Sequence, residues 1–107
     1  MPHTVVFAPE AEDQLAELYQ YIATAASPEI AKRYTDAVVS CCEGLSVFPL
    51  RGTPRDDIRP GLRLTNYKGR TVIAFAVDDK SQLVSILSVF YGGQDYAALL
   101  SESGNQG

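Results

Sequence analysis

The chain is expected to fold as an α+β domain of order β-α-α-β-β-β, an N-terminal helical hairpin packed on a small antiparallel sheet. Three observations predict it. Apolar residues recur at helical spacing over residues 9–26 and again over 28–47. Three strand-like runs follow after residue 61, joined by short polar turns. A cationic linker punctuated by Gly52, Pro54, Pro60 and Gly61 separates the two halves.

His3 to Phe7 (HTVVF) is a short β-branched run that stops at Pro9, which suits a strand at a sheet edge. Pro9 to about Ala26 reads as a helix. Pro9 is tolerated in a first turn, and Glu10, Glu12 and Asp13 sit near the positive helix start. Ala11, Leu15, Leu18, Tyr19 and Ile22 form one apolar stripe, while Asp13, Glu17 and Gln20 fall off it. Tyr19 and Tyr21 are read as core and rim residues rather than as a base-stacking pair.

Ser27-Pro28-Glu29 restarts the helix with an N-cap, a first-turn proline and an acid. The second helix is expected from Pro28 to about Val47, with Ile30, Tyr34, Val38, Cys41, Leu45 and Phe48 as its buried stripe. So short a break predicts an antiparallel αα-hairpin. Gly44 weakens the last turn and Pro49 ends it.

Residues 49–61 read as loop. Leu62 to Tyr67 alternates, with Leu62 and Leu64 opposed to Arg63 and Thr65. Lys68-Gly69-Arg70 is a hairpin turn. Thr71 to Val77 and Gln82 to Tyr91 are apolar on both faces, as inner strands are, and short turns make the three an antiparallel meander. The sheet face away from the helices is expected to be open. Gly92 to Asp95 breaks the last strand, Tyr96 to Leu100 is a candidate helical turn, and residues 101–107 a disordered polar tail. Residues 1–100 therefore constitute one domain.

Composition narrows the function. With 46% apolar and 21% charged residues, the chain resembles an ordinary globular protein and needs no metal or disulfide to fold. No leader peptide or membrane span is apparent, so a cytoplasmic protein without a membrane partner is expected. Adjacent Cys41 and Cys42 point in different helical directions, one thiol inward and one near the surface. With His3 the only histidine, neither a zinc site nor a Ser-His or Cys-His nucleophile has a basis; no metal or cofactor is expected.

Charge is uneven. Residues 51–70 hold Arg51, Arg55, Arg59, Arg63, Lys68 and Arg70 against Asp56 and Asp57, a net +4. The other 87 residues carry three cations and eleven carboxylates, a net −8. That distribution argues against general or sequence-specific nucleic-acid binding and fits an acidic protein partner.

The ordered set of patterns resembles the RelE/ParE superfamily of bacterial toxins, the ParE branch in particular. FAPEAEDQLAELYQYIA resembles that family's opening helix and SPEIAKRYTDAV its second. FPLRGTPRDDIRPGLR resembles its linker, with the RPGLR element at Arg59 to Arg63. TVIAFAVDD and LVSILSVFYGGQDY resemble its last two strands and closing turn, so the likeness covers residues 4–100. It implies a type II toxin neutralised by a cognate antitoxin in a hetero-oligomer. In the RelE branch such toxins cleave mRNA on the ribosome; in the ParE branch they are not nucleases and poison DNA gyrase.

Cutting RNA requires cations at the scissile phosphate and an acid/base group. Here Ala76 stands where an Arg is common, Gln94 where the closing turn often has Arg, and Tyr91 where many relatives have His. The expectation is a gyrase poison and no enzyme, with Arg59, Arg63, Arg70, Tyr91, Gln94 and Asp95 as target- or antitoxin-binding residues. Two alternatives stand beside it: a ribosome-dependent endoribonuclease using Arg63, Tyr91 and Tyr96, or a degenerate non-toxic relative.

Overall fold

The computed structural model describes residues 2–92. The expected helical turn at 96–100 and the tail lie outside them. Along the chain come β1 (Thr4–Phe7), α1 (Pro9–Ala25), α2 (Pro28–Glu43), a 3-10 turn (Gly44–Ser46), β2 (Thr53–Pro54), β3 (Leu62–Tyr67), β4 (Thr71–Asp78) and β5 (Leu83–Tyr91).

The sheet has five strands in the order β1-β5-β4-β3-β2. The meander β3-β4-β5 is antiparallel, with Tyr67, Thr71 and Tyr91 level at one end. β1 lies at the sheet edge, as expected, but runs parallel to β5 from Thr4 opposite Leu83 to Phe7 opposite Ile86, so the small sheet is mixed rather than antiparallel throughout. The connection from β1 to β5 passes through the helices and the whole meander, so no hairpin constrains the direction of pairing. The linker is not all loop either: Thr53 and Pro54 pair with Leu64 and Arg63. Gly52 makes that approach feasible. Its φ is +82°, and a Cβ there would lie 2.2 Å from the Leu64 carbonyl oxygen.

Ser27 caps α2 by accepting from the Ile30 amide at 3.2 Å, with Pro28 in the first turn. Ala11 of α1 joins Val38 and Cys42 of α2 in the main core, over Ile73, Phe75, Val84 and Ile86 of the sheet. Nearer the Ala26–Ser27 connection, Leu18 and Ile22 pack with Ala31. The buried α2 stripe is thus Ala31, Val38 and Cys42, continued by Leu45 of the 3-10 turn. Ile30 and Phe48, expected inside, are exposed, and Cys41 is half-buried. The helix ends at Glu43 and tightens at Gly44, which turns Phe48 off the stripe.

The second sheet face is not open. Leu62, Leu64, Ala74 and Phe90 are buried there, with Ile58 of the linker packed against them. A linker that folds back over the sheet covers apolar surface that water would otherwise hydrate.

Burial pushes the Cys42 thiol up from 9.0 to about 12, aided by the neighbouring Cys41 and Glu43. Native protein at pH 8 should therefore release one rapid thiol equivalent to Ellman's reagent, from Cys41, and two after unfolding. The sign for stability follows. Above pH 9 the unfolded chain ionises Cys42 while the folded chain does not, so the urea midpoint should fall as pH rises from 9 toward 12.

Candidate functional site

The site begins with an irregularity in β5. Ala74 pairs with Ser88 but the next residue, Phe75, pairs with Ile86, so Leu87 is an extra residue. Before it, Val84 and Ile86 face the helices; after it, Val89 does, and Phe90 faces the opposite side. The bulge changes the parity of the strand, and Tyr91 is brought to the helix face with Leu18, Ile22 and Tyr34.

Four tyrosines meet there from four elements. Tyr34 of α2 lies edge-on to Tyr67 of β3 at 5.3 Å between centroids and to Tyr91 of β5 at 6.0 Å. Tyr21 of α1 lies tilted against Tyr91 at 5.6 Å. Such pairs favour the edge-to-face geometry seen here. The hydroxyls of Tyr34 and Thr71 lie 2.7 Å apart and share a hydrogen bond, which satisfies the fully buried Thr71. Beside the cluster runs an open groove of about 390 Å³, lined by Gln14, Glu17, Leu18, Tyr21, Arg70 and Tyr91.

Gln14 was not anticipated. Its Oε1 accepts from the Val89 amide at 2.6 Å, where β1 has already ended alongside β5. The signal was present: Gln14 lies on the buried stripe, three residues after Ala11 and four before Leu18, where a polar side chain needs a partner.

The cations of the basic stripe are dispersed rather than pooled. The Arg63 guanidinium donates to three consecutive carbonyls, from Nη2 to Leu50 at 2.5 Å and Gly52 at 3.4 Å, and from Nε to Arg51 at 3.2 Å. Arg55 makes a two-pronged pair with Asp57 at 2.9 Å for each contact, and that hydrogen bonding holds the Asp57 carboxyl below the usual carboxylate range. Asp56 accepts from the Gly61 amide at 2.8 Å. Lys68 sits 5.7 Å from the Tyr67 ring centroid, and Arg59 and Arg70 are exposed.

Of the expected binding residues, the structure brings Arg70 and Tyr91 to one groove. Arg63 is elsewhere: it lies four residues up β3 from Tyr67, which is level with Tyr91. At about 3.3 Å per residue that is roughly 13 Å. Arg63 and Tyr91 therefore stand at separate levels of the sheet, and Arg59 lies in the linker beyond the Arg63 end. Gln94, Asp95 and Tyr96 fall outside the described residues. Among the described residues no cluster of metal-ligating side chains occurs.

A profile described as the ParE toxin of type II toxin–antitoxin systems, parDE, matches residues 5–96. Among solved structures, the chain is similar to one in the chromosomal ParDE system of P. aeruginosa, with 19% identity and a TM-score of 0.72 over 84% of this chain and 96% of that one. It is similar to one in the RelBE2 toxin–antitoxin complex of Mycobacterium tuberculosis, with 27% identity and a TM-score of 0.63 over 85% and 99%. The isolated E. coli RelE toxin shares 14% identity and a TM-score of 0.55 over 97% of each chain. No curated protein matches. At such identities the first and third likenesses concern the fold alone.

Replacing the Arg63 brace should cost stability. Arg63→Ala is expected to lower the unfolding free energy by about 1–3 kcal/mol in urea, because loop carbonyls lose a charged donor. Arg63→Lys should recover only part, since an ammonium cannot reach three carbonyls with a planar fork. Unchanged stability in both variants would show that the guanidinium is a solvated surface charge.

Proposed function

The chain belongs to the ParE toxin family of type II toxin–antitoxin systems, and from that premise we propose that it inhibits DNA gyrase by binding and is neutralised by a cognate antitoxin in the cytoplasm. The observation that carries this reading over a nuclease is the use made of Arg63. A cation bonded to three backbone carbonyls is already committed to holding the linker. Scission of RNA requires preorganised cations where phosphate charge develops, together with an acid/base group within hydrogen-bond reach. Arg63 and Tyr91 stand at different levels of the sheet, and a chain of net charge −4 is a weak platform for gripping RNA.

In this reading Arg70, Tyr91 and the exposed Tyr21 form a contact surface rather than a catalytic one. Aromatic and arginine side chains are favoured anchors at protein interfaces. Gln94 and Asp95 follow directly on this surface in sequence and are proposed to extend it, and Arg59 to contribute from the linker. A second reading, message cleavage on the ribosome, draws on the likeness to a chain of the RelBE2 complex.

Purified protein added to gyrase should block supercoiling and leave cleaved DNA after denaturation. The same preparation should leave mRNA intact in a translation extract. Active supercoiling together with codon-position cuts in ribosome-bound message would establish the nuclease reading instead.

A further inference from the structure

We infer that the loop Val47–Arg51 is a second docking site, separate from the tyrosine groove, and that it takes an apolar, acidic segment of the antitoxin. Three large apolar side chains stand exposed within four residues here: Val47 at 63%, Phe48 at 60% and Leu50 at 65%. Scattered apolar residues on a surface are ordinary, but a contiguous apolar patch marks an interaction site. The loop encloses a shallow groove of about 480 Å³ lined by these residues with Pro49 and Arg51.

The exposure is built in by the backbone. The amides of Val47 and Phe48 donate to the Gly44 carbonyl at 3.2 and 3.3 Å, and the Arg51 amide donates to the Phe48 carbonyl at 3.2 Å. The His3 amide, just before β1, donates to the preceding Ser46 carbonyl at 2.8 Å. Arg63 then gathers the carbonyls of Leu50, Arg51 and Gly52. Much of the loop's polar backbone is thus bonded while its apolar side chains stand in water. A loop fixed in that state has its ordering cost met before any partner arrives.

Charge selects the occupant. Arg51 is the charged residue lining the groove, its guanidinium 5.6 Å from the Phe48 ring centroid. A carboxylate on the partner would meet Arg51 while an apolar side chain fills the groove. Nucleic acid fits poorly, because Arg51 and Arg55 are offset locally by Asp56 and Asp57. A second copy of this chain fits poorly too, since an isologous contact would set two Arg51 side chains against each other.

The loop and the tyrosine groove lie at opposite ends of β5. Thr4, Leu83 and Asp78 are level at one end, and Thr71 and Tyr91 at the other. Nine residues at about 3.3 Å separate them by roughly 25–30 Å. That the occupant is an antitoxin rests on the reading given above; the loop geometry does not.

The test uses full-length protein and, as probe, the purified product of the reading frame beside its gene. Phe48→Ser/Leu50→Ser and Arg51→Glu should unfold at the wild-type temperature, because the altered side chains are exposed. Calorimetric titration should show the double variant binding the antitoxin at least tenfold more weakly, and the reversed charge about tenfold more weakly. In NMR titrations of the wild type, the amides of Val47, Phe48, Leu50 and Arg51 should shift. Free double variant should still inhibit gyrase. Wild-type antitoxin affinity in both variants would overturn the inference, as would a double variant that binds antitoxin normally but no longer inhibits gyrase. The calorimetric arm contains no gyrase, so failure of the gyrase assignment alone leaves it intact.

Discussion

The hydrogen bonding of the Arg63 guanidinium to the carbonyls of Leu50, Arg51 and Gly52 is the contact on which the arrangement of the linker and the loop before it depends. It fastens the linker to β3 beside the short pairing of Thr53 and Pro54. It turns the preceding loop so that Phe48 and Leu50 face water. It also removes the strand's own cation from the reach of a substrate. A charged donor bonded to several neutral acceptors is stronger than ordinary backbone pairing, and a partly buried one is costly to release.

At the other end of the sheet a different device operates. The extra residue Leu87 reverses which side chains of β5 face the helices, so Val89 enters the main core and Tyr91 joins the tyrosines. The same stretch has outrun β1, and α1 supplies Gln14 to satisfy the Val89 amide. Edge backbone left without a partner invites unwanted pairing or costs desolvation, and one side chain resolves it here. The groove beside Tyr91 is thus fixed by a bulge, an edge and a helix that meet at one place.

Much of this was legible beforehand because local chemistry and tertiary structure agree. Alternation of Leu62 and Leu64 against Arg63 and Thr65, and glycine in the Lys68–Arg70 turn, mark the meander nearly to the residue. Ser27-Pro28 marks the start of α2 for the same reason. Four residues of β1 carry no information about direction, so its parallel pairing was hidden. The α2 stripe departs from the expected one at its start because the small Ala31, not the larger Ile30, fits against α1, and at its end because the helix stops at Glu43, short of Phe48. The run LVSILSVFY is apolar on both faces apart from Ser85 and Ser88, so hydrophobic alternation does not mark its bulge. Arg63 stood out as a cation, but its acceptors are carbonyls eleven to thirteen residues away, which no residue type announces.

The chain is a ParE-family toxin, and the proposal that it acts by binding rests physically on the commitment of Arg63 to the linker. The most direct measurement is the NMR signal of the Arg63 Nε–H in the free protein. A guanidinium bonded to the linker predicts a resolved resonance, displaced from those of Arg59 and Arg70 and slow to exchange with water. An Arg63 signal that coincides with theirs and exchanges as fast would contradict the account.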